Sequence, residues 1–294
     1  MIGISFIVAS VTLQAFVLSK VSYQFSSAEV MTFSALSFFL CSLLFGLKLQ
    51  LKGKVKITKE KARCIATLNV HTLLAFGAFH LALIFLPASS AALFETSIAL
   101  LVVAILTKES QNRILQTILI IAFTLGFVFA ANVLNTDLMQ GILLAALAGV
   151  GAATISVRSN RENSNVLSTD EALAYRFVLS ALATFSFLYM FDSGMQVPVS
   201  YFEVVLLSLF GFVAPFFLLQ KGMEVTKPAL TISLLSIIPV ISYFFESIFY
   251  SSPSLIEMVL ITSAILLIVL YSIRGFIKQT KATSTAESCE QQSV

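Results

Sequence analysis

Ten apolar runs, each of 18 residues or more, occupy most of this 294-residue chain. An α-helix needs about 20 apolar residues to cross the hydrocarbon core of a bilayer, which is roughly 30 Å thick. Only 11% of the residues are charged and 58% are hydrophobic, whereas a soluble protein carries roughly 25% charged residues. The sequence therefore predicts an all-α membrane protein with ten transmembrane helices. It excludes a soluble enzyme, a disordered chain and an extracellular disulfide scaffold.

Charges, prolines and polar clusters separate the runs. Four helix starts carry Ser-x-x-Glu, a capping box in which the serine accepts a backbone N–H and the glutamate reaches back to the cap. The four predicted boxes are Ser26/Glu29, Ser168/Glu171, Ser200/Glu203 and Ser254/Glu257. The predicted spans are Ile2–Ser19, Ala28–Leu47, Cys64–Leu86, Ala88–Leu106, Ile114–Ala131, Leu138–Val157, Ala172–Phe191, Tyr201–Leu219, Ala229–Tyr250 and Leu255–Ile273.

Lysine and arginine are distributed unevenly between the two sides of these spans. With both termini inside, sixteen of them fall in inner loops or the tail, Lys20 falls in an outer loop and Arg176 lies within a span. Because cytoplasmic loops carry the excess of Lys and Arg, this bias predicts cytoplasmic termini. The basic segment Lys48–Arg63 is then the main determinant of topology, close to anionic headgroups.

The two halves of the chain resemble each other weakly at a nearly constant offset, slightly less than half the chain length. The matching segments are Met1–Ile4 with Met139–Ile142, Glu29–Ser34 with Glu171–Arg176, and Pro87-Ala88 with Pro228-Ala229. Each copy holds five spans, and an odd number of spans inverts the second copy in the membrane. We therefore predict inverted five-helix repeats at residues 1–134 and 135–274, followed by a disordered cytoplasmic tail at 275–294.

Several short motifs carry a resemblance to a known family. Pro87–Leu93 at the start of the fourth span, Lys227–Leu230 before the ninth, and Tyr175–Phe177 in the seventh are similar to motifs of the drug/metabolite transporter superfamily, EamA type. This resemblance implies a ten-helix bundle that transports small metabolites, often outward.

One face of the third span is polar. Asn69, Thr72, Phe76 and His80 are spaced by 3, 4 and 4 residues, which places all four on the same side of a helix. We expect this face to line a central cavity, to which Gln14 of the first span also contributes. The alternative is hydrogen bonding between helices, which Asn, Thr and His side chains also supply in membrane bundles.

Glu95 is a carboxylate in the middle of a span with no capping role. His80 lies seven residues before Pro87 and Glu95 eight residues after it, so both sit roughly 10 to 12 Å below the turn on adjacent antiparallel helices. Ionisable groups inside a membrane are costly and usually functional. We predict that Glu95 is the main coupling or substrate-binding residue and that His80 is its partner. The alternative is a structural polar pair that locks the two helices together.

Three further residues within the spans are polar or ionisable. Glu246 lies one turn from the outer end of the ninth span, on the face of Tyr243, so both residues are candidates for an outer vestibule, with simple interfacial placement as the alternative. Arg176 lies near the cytoplasmic start of its helix, where it can reach headgroups by snorkelling. Contact with a substrate anion is the alternative for Arg176.

The sequence contains no catalytic motif, no ATP-binding motif and no metal-ligand spacing. It therefore predicts no enzyme activity, cofactor or metal, but a secondary transporter of small metabolites, an exporter that works by alternating access, with proton coupling as one option. Expected partners are membrane lipid and a small-molecule substrate but no nucleic acid, in a monomer or homodimer of the bacterial cytoplasmic membrane. The alternative is a non-transporting bundle with a lipid-handling or regulatory role. Such a bundle would fill its interior with apolar side chains, whereas a transporter needs a polar cavity lined by both repeats.

Overall fold

The computed structural model describes residues 2–53, 57–131, 137–158, 166–191, 200–225, 234–250 and 254–271, and it contains helices and no strand in these ranges. Eight helices are long and apolar enough to cross a membrane, and two shorter apolar helices follow them. The eight are α1 (Ile2–Gln24), α2 (Ser27–Leu51), α3 (Lys59–Ala82), α4 (Ala88–Leu106), α5 (Gln111–Ala131), α6 (Leu138–Val157), α7 (Asp170–Met190) and α8 (Tyr201–Leu219). The shorter two are α9 (Ile238–Phe249) and α10 (Leu255–Tyr271).

The structure thus confirms an all-helical membrane bundle, with a helix in each predicted apolar run. Several stretches that the predictions touch lie outside the described residues. They include Met1 of the repeat match, residues 54–56 and 159–165 of the predicted inner loops, the boundary between the two repeats at 132–136, the segment 226–233 that contains Lys227–Leu230, and the tail from residue 272 onward.

Capping explains where several helices begin. Ser26 and Ser168 form complete capping boxes with Glu29 and Glu171, and Ser254 accepts the backbone N–H of Glu257 at 3.2 Å. The prediction was wrong at Ser200, whose side chain makes no capping hydrogen bond. The nearby Glu203 instead pairs with Lys20 of α1 at 2.6 Å, because an ammonium group on a neighbouring helix competes with the local cap.

Three spans depart from regular α-helix. A π-helical turn occupies Leu73–Gly77 in α3, and a second occupies Leu209–Val213 in α8. α7 is interrupted at Arg176 and Phe177, between Thr169–Tyr175 and Val178–Phe191. Such irregular turns leave backbone groups without their helical partners and commonly mark functional positions. They also change the direction in which the side chains after the turn point.

The two ends of the bundle differ in charge. At one end, which we call the basic end, Lys48 and Lys52 pair with Asp170, and Lys61 pairs with Glu171 at 2.6 Å. These pairs tie α2 and α3 to the start of α7. The opposite end, at the turn between α3 and α4, is called the Pro87 end.

Close packing holds one face of α6 against α3 and α4. A Cβ atom added at Gly149 would lie 2.6 Å from the carbonyl oxygen of Glu95, and one added at Gly151 would lie 2.4 Å from the backbone nitrogen of Ala75. Only glycine permits these approaches, so α6 contacts the backbones of both α3 and α4. The helices that carry His80 and Glu95 are thereby fixed beside the second half of the chain.

Candidate functional site: a cavity between the two halves

A cavity of about 280 Å³ lies between the two halves of the chain. Most of its wall is apolar or aromatic, but six polar side chains also face it. From the first half the lining residues are Gln14, Leu18, Phe76, Phe79, His80, Ala92, Glu95, Thr96, Ala99, Leu100 and Val103. From the second half they are Ala152, Ala153, Ser156, Phe216, Leu219, Leu235, Ser236, Ile238 and Ile268. Its size lies near the lower end of ligand pockets, which are roughly 300–1,000 Å³.

Among the lining residues that the structure describes, Glu95 is the one acidic residue, and none is Lys or Arg. It lies on α4, eight residues into the helix, and its side chain makes no hydrogen bond or ion pair with any part of the chain that the structure describes. The carboxyl group is therefore available, as far as these residues are concerned, to bind a molecule that enters the cavity. A carboxyl group in such a place can bind a cation, accept hydrogen bonds or exchange a proton.

His80 lies in the same cavity wall, but its contacts differ from those predicted. Its Nδ1 is 2.9 Å from the hydroxyl of Ser34 on α2, and its ring stacks on Phe33 and Phe38 with centroids 5.6 and 5.0 Å away. The structure contains no His80–Glu95 ion pair. The two residues therefore share a cavity without a hydrogen bond or an ion pair between them.

Arg176 lies behind this wall. Its guanidinium carbon is 5.4 Å from the ring centre of Phe76, 5.1 Å from that of Phe177 and 5.8 Å from that of Phe216. Phe76 and Phe216 both line the cavity, whereas Arg176 is not among its lining residues. Cation–π contact with three rings offsets part of the cost of burying this charge.

Asn69 connects α3 to the interruption in α7. Its side-chain amide donates to the carbonyl oxygen of Tyr175 at 2.7 Å and accepts from the backbone N–H of Leu179 at 2.9 Å. These are backbone groups that the interruption at Arg176 and Phe177 frees from helical pairing. Asn69 thus makes the interhelical hydrogen bonds that the sequence left open as an alternative, and Thr72, one turn further, is fully buried.

Glu246 and Tyr243 lie on α9 towards the Pro87 end, and neither is among the lining residues of the cavity. Glu246 is 2% exposed and accepts hydrogen bonds from Ser89, through its backbone N–H at 2.9 Å and through its hydroxyl. The Tyr243 hydroxyl is 3.4 Å from a carboxylate oxygen of Glu257.

Of the nine residues singled out by sequence, four line the cavity: Gln14, Phe76, His80 and Glu95. The sequence reasoning missed Thr96, Ser156, Ser236 and Phe216. For Ser156 a signal existed, because it extends the small-residue face of α6 that ends with Ala152 and Ala153. That face was interpreted only as helix packing, yet its last turn borders the cavity because α6 lies against α4 at Gly149.

A bundle of apolar helices with a partly polar cavity between its halves has the form of a membrane transporter. Residues 139–273 match the model of the EamA-like transporter family. The resemblance drawn from the sequence motifs is thereby confirmed over the second half of the chain. Members of that family are membrane transporters of the drug/metabolite transporter superfamily.

A solved structure titled "Crystal structure of protein" has a similar fold, with a TM-score of 0.59 at 18% sequence identity. The match covers 90% of this chain and 96% of that chain. At this identity the similarity concerns the fold alone. A search of curated proteins finds no match to this chain.

Proposed function

We propose that this protein is a secondary transporter that moves small amphipathic metabolites, most often outward, through the cavity by alternating access. The observation that carries the proposal is Glu95, whose carboxyl group lies in a cavity lined by both halves and makes no hydrogen bond or ion pair with the described residues of the chain. A non-transporting bundle would fill this space with apolar side chains. Here Gln14, Thr96 and Ser156 keep polar groups in it.

Alternating access requires two halves that can move against each other. Two features that recur in both halves, a π-helical turn and a capping box, support the inverted-repeat arrangement. The π-helical turns begin at Leu73 in the first half and at Leu209 in the second. The complete capping boxes begin at Ser26 and at Ser168. The separation between the two π-helical turns and the separation between the two capping boxes are both close to the offset of the sequence matches. The capping box therefore recurs in the second span of each half and the π-helical turn in the third.

A third feature is a contact between the second and third spans of each half. Ser34 contacts His80 in the first half, and Arg176 contacts Phe216 in the second. In each half the first member of the pair lies eight residues after the serine that caps the second span, and the other lies seven residues after the start of the π-helical turn. The contacts therefore occupy equivalent positions, although the chemistry of each pair has changed.

The proposed topology has ten spans, with α9 and α10 as the last two, and places the termini and the basic end in the cytoplasm. The ion pairs of Lys48, Lys52 and Lys61 all lie at this end, as the distribution of Lys and Arg requires. The Pro87 end then faces outward. We place the protein in the bacterial cytoplasmic membrane, as a monomer or homodimer.

The side chains that line the cavity restrict the class of molecule that the protein can carry. The aromatic rings of Phe76, Phe79 and Phe216 suit an apolar part, and the carboxyl group of Glu95 suits a cation or a hydrogen-bond donor. A substrate anion would face the carboxyl group of Glu95, and none of the described lining residues is a Lys or Arg that could bind it. We therefore propose a neutral or cationic amphipathic molecule, and a proton on Glu95 as the exchanged species.

The experiment is transport by purified full-length protein in proteoliposomes, with a panel of small neutral, cationic and anionic amphipathic solutes and an imposed pH gradient. We expect saturable movement of a neutral or cationic solute, faster with the gradient than without it. Liposomes without protein are the control for leakage. No protein-dependent movement of any solute in the panel would contradict the proposal.

A further inference from the structure

The start of α4 lacks a cap of its own. Its N-cap residue is Pro87, which has no side-chain hydrogen bond to offer, so the first N–H groups of the helix need acceptors from elsewhere. Glu246 of α9 supplies them: one carboxylate oxygen accepts from the Ser89 backbone at 2.9 Å, and the other accepts from the Ser89 hydroxyl. The backbone N–H of Ala88 donates to Ser22 of α1 at 3.2 Å.

This contact joins the two halves of the chain at the Pro87 end. A carboxylate at a helix N-terminus also interacts favourably with the helix dipole. Around it, the Ser19 hydroxyl lies 3.2 Å from the carbonyl oxygen of Ser242, and the rings of Tyr23 and Tyr250 stack at 5.1 Å. The helices α1, α4 and α9 therefore contact one another between the cavity and the Pro87 end.

The closed end lies immediately next to the cavity. Ala92, the lining residue of α4 nearest this end, is three residues from Ser89, or about 5 Å along the helix. Towards the basic end the lining continues to Val103, three residues before α4 ends at Leu106. The cavity thus approaches the basic end, while Glu246 and Ser89 separate it from the Pro87 end.

We propose that the Glu246–Ser89 contact is a latch that holds the cavity closed at the Pro87 end and must open for the outward-facing state. Glu246 is then a positioning residue: it acts on α4, the helix that carries Glu95, and does not itself touch the cargo. This inference rests on the proposed transport function, because a latch regulates access only if the cavity must open to both sides.

The test measures which side of the membrane reaches the cavity, and it requires no substrate. All three cysteines, Cys41, Cys64 and Cys289, are replaced by Ala, and Ala92→Cys provides the reporter. The full chain is reconstituted in one orientation, and a membrane-impermeant maleimide is added at either face. Glu246→Gln and Ser89→Ala are introduced separately. Glu257→Gln is the matched control, because Glu257 also caps a helix but makes no hydrogen bond with the described residues of the first half.

We expect the reporter to be labelled from the basic-end side in the protein with an intact latch. Each latch variant should raise labelling from the Pro87 side about tenfold or more, since each removes part of a charge-assisted contact. Glu257→Gln should stay within about twofold of the parent. Unchanged labelling from the Pro87 side in both latch variants would overturn the latch. If Glu246→Gln does not fold, Ser89→Ala decides the test, because it removes only a hydroxyl.

The outcomes for the latch and for transport are separate. If the latch variants open the Pro87 end but the wild-type protein moves no solute, the transport proposal fails, and the Glu246–Ser89 contact remains a closure of the Pro87 end without a role in transport. If the wild-type protein transports a solute but the latch variants leave the Pro87 side unlabelled, the latch is wrong and the transporter stands.

Discussion

Asn69→Ala should destabilise the bundle, because Asn69 holds the interruption in α7. The substitution removes the hydrogen bond to the Tyr175 carbonyl at 2.7 Å and the one from the Leu179 N–H at 2.9 Å. It leaves those backbone groups without the amide that pairs them. Hydrogen bonds between membrane helices contribute about 0.6 kcal/mol on average and at most about 1.7 kcal/mol. Two such bonds give an expected loss of about 1 to 3 kcal/mol.

The loss is measured as the free energy of unfolding of the purified protein, titrated with a denaturing detergent in mixed micelles. Asn112→Ala is the matched control, since Asn112 is exposed in the first turn of α5. We expect the control to change stability by less than about 0.5 kcal/mol. Equal stability of the Asn69→Ala and Asn112→Ala variants would refute the bridging role of Asn69.

Three further predictions use different parts of the chain. Gly151→Ala should lower the free energy of unfolding by about 1 to 3 kcal/mol, because its Cβ would lie 2.4 Å from the Ala75 backbone nitrogen, whereas Gly46→Ala should be neutral, with nothing within 4 Å. Arg176→Lys should cost about 1 kcal/mol by the same titration, since an ammonium cannot stack on three rings as the guanidinium does. Reporter domains fused after Val294 or within Lys48–Arg63 should both report the cytoplasm.

Each of these has an outcome that contradicts it. A Gly151→Ala protein as stable as the Gly46→Ala protein would mean that α6 does not approach α3 so closely. Unchanged stability of Arg176→Lys would show that stacking of the guanidinium on the three rings does not stabilise the protein. A signal from the outer side with either fusion would eliminate the ten-span topology.

Sequence reasoning predicted the helices well because bilayer thickness and hydrogen-bonding demands leave little choice. A run such as Ala88–Leu106 must form a helix if it enters the membrane, and α4 has those bounds. The capping boxes at Ser26 and Ser168 fixed two further starts. The box at Ser200 failed because the pattern does not reveal that Lys20 of another helix lies beside Glu203.

The cavity could be predicted only in part. Spacing placed Asn69 and His80 on one face of a regular helix, but the π-helical turn at Leu73–Gly77 lies between them and shifts the register. His80 therefore lines the cavity while Asn69 points to α7. The equal depth of His80 and Glu95 along adjacent helices correctly indicated that both line one cavity. Depth does not fix how each helix is rotated about its axis, and the rotation in the structure brings His80 to Ser34 instead of to Glu95.

The role of Glu246 illustrates a second limit. The sequence indicated that Glu246 lies near a helix end, but not that the helix starting after Pro87 lacks a side-chain cap. The Glu246–Ser89 contact joins residues 157 positions apart, and no local pattern relates positions so distant. Packing of the two halves alone brings the carboxylate to the start of α4.

We propose that Glu95 couples movement of the cargo to the proton gradient, and the Glu95→Gln variant tests this coupling without changing the rest of the cavity. Glutamine keeps the size and hydrogen-bonding capacity of the side chain but cannot exchange a proton. Transport driven by a pH gradient is measured in proteoliposomes from about pH 5 to pH 9, with Glu257→Gln as the control and unfolding titrations to verify the fold. We expect gradient-driven transport to fall to the level of protein-free liposomes in Glu95→Gln alone. Unchanged transport in Glu95→Gln across the whole pH range would contradict the account.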